Sequence, residues 1–208
     1  QHHADAPAAP VSTQHLLLIA AAALLVFWAL GAHNRLVALR NAIIAAWAQV
    51  ENTYQRRADL IPNLVSTVKG SAAFEQETLQ AVVEARSRVG QISGQATQEI
   101  LSNPEKFAQF QQAQDGLSSA LSRLMVVVER YPELKSTAAF SDLMTQLEGT
   151  ENRITVERMR FNEVAREYNT RLAKFPTNLF ARLLGWHFSA RPYFAAQAGA
   201  ATAPKVEF

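Results

Sequence analysis

The chain of 208 residues has no cysteine. Disulfides and thiolate metal sites are therefore both excluded. Glycine is scarce at 8 residues and scattered, which argues against a glycine-rich loop cradling phosphate. No HExxH, GxSxG or Walker spacing occurs, so the common signatures of zinc peptidases, serine hydrolases and nucleotide-binding loops are missing. Neither sign of charge dominates: 20 Lys and Arg stand against 18 Asp and Glu, for a net charge of +2. Nucleic-acid-binding domains concentrate basic surface, and no nucleic-acid partner is expected here. No stretch alternates apolar and polar residues for long enough to predict a strand. Residues 1–15 contain no Lys or Arg.

Present instead is one long apolar run, LLLIAAAALLVFWALGA at residues 16–32, without charge or proline. About 17 residues at ~1.5 Å rise cover ~26 Å, within reach of the ~30 Å hydrocarbon core of a bilayer. The run has no polar face, which disfavours a helix buried in a soluble core. His15 on one side and His33 and Asn34 on the other suit the headgroup level, and Trp28 suits an interfacial aromatic anchor. A signal peptide would need a basic segment before the run and a cleavage site soon after it. The run instead leads straight into helical pattern, so an uncleaved anchor is expected. Arg35, Arg40, Arg56 and Arg57 follow it, whereas residues 1–15 carry only Asp5 and histidines. The positive-inside rule then puts residues 1–15 outside and the remainder in the cytoplasm. His2, His3 and His15 are metal-capable, but a solvated tail is the simpler reading, and no metal or cofactor is expected.

Beyond the anchor, helical periodicity continues. Leu36, Leu39, Ile43, Trp47, Val50 and Tyr54 form one stripe. Asp59 as an N-cap with Pro62 in the first turn predicts a tight turn near residues 57–60 and a second helix to about Val89. A competing reading keeps the register of Leu36, Ile43, Val50 and Leu64 through the proline, as one long helix kinked at Pro62. Residues 90–103 are polar and read as the main loop. Asn103, Pro104 and Glu105 have the order of cap, first-turn proline and dipole-favoured acid. A third helix then runs to about Tyr131, with Phe107, Phe110, Leu117, Leu121, Leu124 and Val128 in its stripe. Ser136 or Thr137 opens a fourth, with Phe140, Leu143, Leu147, Ile154, Phe161, Tyr168, Leu172 and Phe175 inside, closed by Pro176. The fold class expected is all-α: a transmembrane helix continuing into an antiparallel up-down four-helix bundle over residues 33–176.

HNRLVALRNAIIAAWAQVENTYQRRADLIPNLVSTVKG, ERYPELKS, LEGTENRI and FNEVAREYNTRLAKFP, in that order, resemble the LemA family. The tail RPYFAAQAGAATAPKVEF is similar to the tails of its members. The resemblance spans nearly all of residues 33–208. His33 and Phe161 stand where members usually carry tyrosine. What the resemblance implies is a bacterial inner-membrane protein with a short outside tail, a four-helix cytoplasmic domain and no established enzymatic activity. The family has been associated with envelope homeostasis and with membrane-organelle formation.

The quoted motifs hold charged and amide residues close to the apolar stripes: Arg56, Arg57, Asp59, Asn63, Lys69, Glu151, Asn152, Arg153 and Asn169. They are candidates for capping and pairing between helices, which fixes register. The alternative is a contact surface for a partner or a second copy. Carboxylate acid–base catalysis is a weaker third reading, because no histidine, cysteine or metal cluster accompanies them. No catalytic residue is assigned.

If successive helices alternate direction, the fourth ends near the bilayer. Residues 177–194 follow, rich in Leu, Phe, Trp and Tyr. Phe180, Leu183, Leu184, Trp186 and Phe188, with Arg182 and Arg191, are candidates for an amphipathic helix in the membrane interface. The alternative is that the segment folds back on the bundle. Residues 195–208 read as a flexible tail ending in Lys205, Val206, Glu207 and Phe208, which suits docking to a partner or plain disorder. The expected partners are the lipid bilayer, further copies of the chain and another envelope membrane protein. Self-association rests on the small residues of the anchor, Ala20–Ala23 with Gly31 and Ala32. The leading expectation is a non-enzymatic, membrane-anchored scaffold that self-associates and shapes or organises the membrane. The second is an adaptor for a membrane protease or envelope stress system.

Overall fold

The computed structural model describes residues 12–70, 74–93 and 97–195. Every regular element among them is helical: α1 (Thr13–Lys69), α2 (Gln76–Ser93), α3 (Thr97–Ser102), α4 (Pro104–Val128), α5 (Pro132–Lys135), α6 (Ala138–Ala173) and α7 (Thr177–Leu183).

The alanine–leucine run favours helix intrinsically, and the stripe that follows sustains it by packing. From Ser12 to Trp28 every residue is exposed. Burial begins at Ala29 and Ala32 and continues through Leu36, Leu39, Ile43, Trp47, Val50 and Tyr54. The exposed apolar run, the expected anchor, and the packed body therefore share one helix of 57 residues, about 85 Å long.

The expected turn at residues 57–60 does not form, and Asp59 is not an N-cap. α1 runs through Pro62 to Lys69, in line with the competing long-helix reading. A proline inside a helix removes one N–H and leaves the carbonyl four residues earlier without its partner. That carbonyl belongs to Ala58, and it accepts a hydrogen bond from Arg86 Nε of α2 at 3.2 Å. The neighbouring helix thus satisfies the group that the proline frees. Asp59 instead accepts from Gln55 one turn back, at 2.8 Å. The helix ends at Gly70, whose N–H donates to the Ser66 carbonyl.

α1 packs along α6, and α2 along α4. Arg35 beside Glu167 and Arg57 beside Glu151 show that α1 and α6 are antiparallel. Phe74, just before α2, meets Tyr131 just after α4. Ile92, near the end of α2, packs into the cluster that holds Phe107 and Phe110 from the start of α4, so these helices are antiparallel too. The apolar interior is divided in two. One cluster, nearer the anchor, gathers Leu36 to Tyr54, Phe107, Phe110, Ile154, Phe161 and Tyr168. The other gathers Ile61, Leu64, Val68, Leu79, Val82, Leu117 to Val128, Phe140 and Leu147.

The expected loop at 90–103 is largely helical. α2 continues to Ser93, and α3 buries Ile100 and Leu101 in the first cluster. Asn103 caps α4 as the sequence predicts, its side chain accepting from the N–H groups of Glu105 and Lys106. α4 ends at Val128, and the single turn α5 separates it from α6. Phe175 lies beyond the end of α6, not inside it, and is 77% exposed.

Residues 177–194 do not form one amphipathic helix. Only Thr177–Leu183 is helical. Gly185, at φ +63°, then reverses the chain, a conformation that a side chain would strain. The following stretch folds back on the body, with Trp186 and Phe188 packed on the first cluster and Phe194 buried within it. His2, His3, Lys205, Val206, Glu207 and Phe208 lie outside the described residues.

Candidate functional site

A layer of polar side chains separates the two apolar clusters. The Arg57 side chain, from α1, is wholly buried. Its Nη1 donates to Ser118 Oγ at 2.6 Å and to Glu151 Oε1 at 2.7 Å. Its Nη2 donates to Gln114 Oε1 at 2.6 Å and to the Gln114 carbonyl at 3.0 Å. Ser118 Oγ donates in turn to Glu151 Oε2 at 3.2 Å. One guanidinium thereby ties α1 to both α4 and α6.

A second arginine completes the layer. Arg158 of α6 donates through Nε to the Tyr54 hydroxyl, and through Nη2 to Asp115 Oδ1 at 2.7 Å. The Tyr54 ring lies between the two cations, 5.2 Å from the Arg57 guanidinium and 5.5 Å from that of Arg158. Burial pushes the Tyr54 phenol up to about 12, with Arg158 and Arg57 opposing that shift only in part. Burial works against the charge on Arg158, but Tyr54 and Asp115 outweigh it and hold its pKa above the ordinary arginine value. A phenol that keeps its proton throughout the neutral range is a fixed hydrogen-bonding group. The layer is chemically suited to joining three helices.

A second constellation holds the returning C-terminal stretch. Asn169 Nδ2 donates to the Arg191 carbonyl and Asn169 Oδ1 accepts from the Arg191 N–H, both at 2.8 Å. Asn162 grips Phe194 in the same two-way fashion, at 2.9 and 2.8 Å. Gln111 does so with Ala195, at 3.1 Å each way. Each side-chain amide substitutes for a neighbouring strand, supplying both donor and acceptor that extended backbone requires. Phe194 fills the space among Trp47, Phe107 and Phe161, with its ring parallel to that of Trp47 at 6.0 Å. Arg158 lies 4.9 Å from the Phe194 ring centroid, so the strap touches the polar layer directly.

A third feature lies at the anchor end of the body. Trp28 of α1 meets Phe180 of α7, with ring centroids 5.3 Å apart. His33 contacts Trp186 and Phe188. Phe175, Leu179, Leu183 and Leu184 stand exposed beside them.

The sequence-predicted residues are thus distributed unevenly. Arg57 and Glu151 meet, and Asn169 clamps the strap. Arg56, Asp59, Asn63, Lys69, Asn152 and Arg153 are exposed and belong to neither constellation. Among the interface candidates, Leu183, Leu184 and Arg182 are exposed, Phe180 packs on Trp28, and Trp186 and Phe188 pack on the body. Arg191 Nη1 donates to the Leu101 carbonyl. Tyr54, Gln114, Asp115, Ser118, Arg158, Asn162 and Gln111 escaped sequence reasoning. Three of them carried a signal. Gln114 sits in the stripe between Phe110 and Leu117, Arg158 between Ile154 and Phe161, and Tyr54 one turn from Arg57.

Comparison with known proteins supplies a further finding. The sequence profile of the LemA family matches residues 46–208. Magnetosome protein MamQ 1 of Paramagnetospirillum magneticum is 29% identical over 176 residues, covering 78% of this chain and 64% of that protein. Magnetosome protein MamQ of Magnetospirillum gryphiswaldense is 28% identical, covering 74% and 62%. Protein LemA of Metamycoplasma hominis is 24% identical, covering 74% and 65%. The chain spans somewhat less than two-thirds of the length of these relatives.

Proposed function

The chain belongs to the LemA family, and from that premise we propose that it is a non-enzymatic, membrane-anchored scaffold that self-associates and organises or shapes its membrane. The observation that carries this reading is the unbroken α1, exposed and apolar up to Trp28 and packed into the body from Ala29 onward. A flexible tether would let the body rotate freely beneath the bilayer. A continuous helix fixes the body's orientation to that of the anchor, as a protein acting on membrane shape or order requires. The polar layer supports the same reading, because it makes α1, α4 and α6 one unit.

In this reading the four longer helices, α1, α2, α4 and α6, form an up-down bundle on the cytoplasmic side of a bacterial inner membrane. Basic residues at the anchor end favour that orientation. Arg35 and Arg40 lie on α1, with Lys174 and Arg182 nearby on the returning chain. The relatives named as magnetosome proteins support a membrane role. Extraction of the full chain in native nanodiscs, followed by mass measurement, tests the proposal. A large, homogeneous assembly of this chain alone is expected. A small particle holding a second protein would replace the scaffold with the adaptor reading, with that protein as its client.

A further inference from the structure

The length of α1 that is free of the body is too short for its task. Contact with the body begins at Trp28, and the bare apolar run is residues 16–27. About 12 residues cover ~18 Å, against a hydrocarbon core of ~30 Å. Roughly 12 Å remains to be spanned. The anchor end of the body has the surface to span it. Arg35 beside Glu167 fixes the register of two antiparallel helices, so the end of α6 at Ala173 stands about level with Ala29. The chain beyond it presents Phe175 at 77%, Leu183 at 75%, Leu184 at 54% and Leu179 at 51% exposure. Among the described residues the other large exposed apolar side chains of the body include Val83 on α2, Val126 on α4, and Val156 and Met159 in the middle of α6, away from this end.

We propose that Phe175 and α7 are immersed in the hydrocarbon edge of the leaflet on the body's side, next to α1. The partner is lipid: acyl chains against Phe175, Leu179, Leu183 and Leu184, and phosphate headgroups at Lys174 and Arg182. Both cations are exposed and lie beside the apolar residues, on side chains long enough to reach back to the headgroup level. The contact of Trp28 with Phe180 makes this surface continuous with the anchor, which is the reason to assign it to lipid. The inserted cross-section is then wider in the near leaflet than in the far one. The inference rests on the anchor reading above and adds a second, asymmetric point of insertion.

Depth-resolved quenching tests it. The chain has no cysteine, so single labels can be placed cleanly at Leu25→Cys on the bare anchor, Leu183→Cys on α7 and Val126→Cys on α4. Each labelled full-length chain is reconstituted in phosphatidylcholine–phosphatidylglycerol vesicles containing lipid brominated on its acyl chains. Strong loss of fluorescence is expected at positions 25 and 183, and none at 126. Quenching at 25 with none at 183 would overturn the immersion of α7 while leaving the anchor intact. A blue-shifted but unquenched label at 183 would also overturn it, because a second copy of the chain would then cover the patch. Absence of quenching at 25 would overturn the anchor itself, and both proposals with it.

Discussion

Arg57 and Arg158 stand within the buried stripes of α1 and α6, flanked by Tyr54 and Ile61 on one and by Ile154 and Phe161 on the other. Sliding α1 by one turn against its neighbours would carry Arg57 into an apolar cluster without partners, so the layer enforces register. Removing one partner of such a buried pair is far more costly than the pair is stabilising. Arg57→Met removes the buried charge itself and leaves Glu151, which is one-third exposed, so it should destabilise the full chain in detergent by only about 1–3 kcal/mol, through the unsatisfied Gln114 and Ser118. Glu151→Gln, which leaves the wholly buried Arg57 cation without its counter-ion, should cost about 3–5 kcal/mol. A double-mutant cycle followed by chemical unfolding should give a coupling of about 1 kcal/mol, and strictly additive losses would show that the ion pair does not set register. Tyr54 makes the layer sensitive to alkali. Its folded phenol titrates near 12 and an unfolded tyrosine near 10, so the folded state holds this proton more tightly. The resulting stability is complete below pH 10 and is lost as pH rises through 12. At ~1.4 kcal/mol per pKa unit it amounts to about 2–3 kcal/mol. The unfolding midpoint of the wild type should therefore fall more steeply over that window than that of Tyr54→Phe. Parallel pH profiles would remove Tyr54 as the source.

On the scale of helices, the junction of Pro62 with Arg86 decides whether α1 is one element or two. The Ala58 carbonyl has Arg86 as its partner because Pro62 cannot donate. Arg86→Ala should cost about 1 kcal/mol in the natural background, the typical value of a lost hydrogen bond. In a Pro62→Ala background, where an intrahelical N–H returns to that carbonyl, the same substitution should cost almost nothing. Equal losses in both backgrounds, measured by thermal unfolding, would dissociate the two residues. This junction also shows what was legible beforehand. The apolar run, the stripes of α1, α4 and α6 and the cap at Asn103 are local patterns, and the structure follows them. Continuity through Pro62 depends on a donor far along the chain, on another helix, and local pattern favoured a break at least as strongly. The loop expected at 90–103 failed for a related reason: polar composition and glycine outweighed Ile100 and Leu101, whose burial only the packed structure reveals. Glu151 was legible as a polar residue in a family motif. Asn162 and Gln111 were not, since their role is to bind the backbone of Phe194 and Ala195, and the sequence left open whether residues 177–194 lie in the membrane interface or fold back on the body.

For the molecule as a whole, the proposed anchoring sets the length of the bare apolar run against the thickness of the bilayer. A short anchor rigidly joined to a body leaves two responses, thinning of the membrane or sinking of the body. Tilt is of little help, because tilting α1 tilts everything packed along it. Lengthening the bare run should therefore draw α7 out of the lipid. Seven further Leu and Ala residues after Ala23 would add about two turns and ~10 Å, returning the anchor to nearly the same helical face. The fold should be indifferent to the insertion, because residues 13–27 are exposed and burial starts at Ala29. The unfolding midpoint should then match that of the wild type. Quenching of the Leu183→Cys label by brominated acyl chains should fall sharply, whereas that of Leu25→Cys should persist. Undiminished quenching at 183 would mean that α7 holds its depth by its own affinity for lipid, and that the anchor's length does not set it. In that case the membrane, held at both α1 and α7, would itself have to adjust to the longer span.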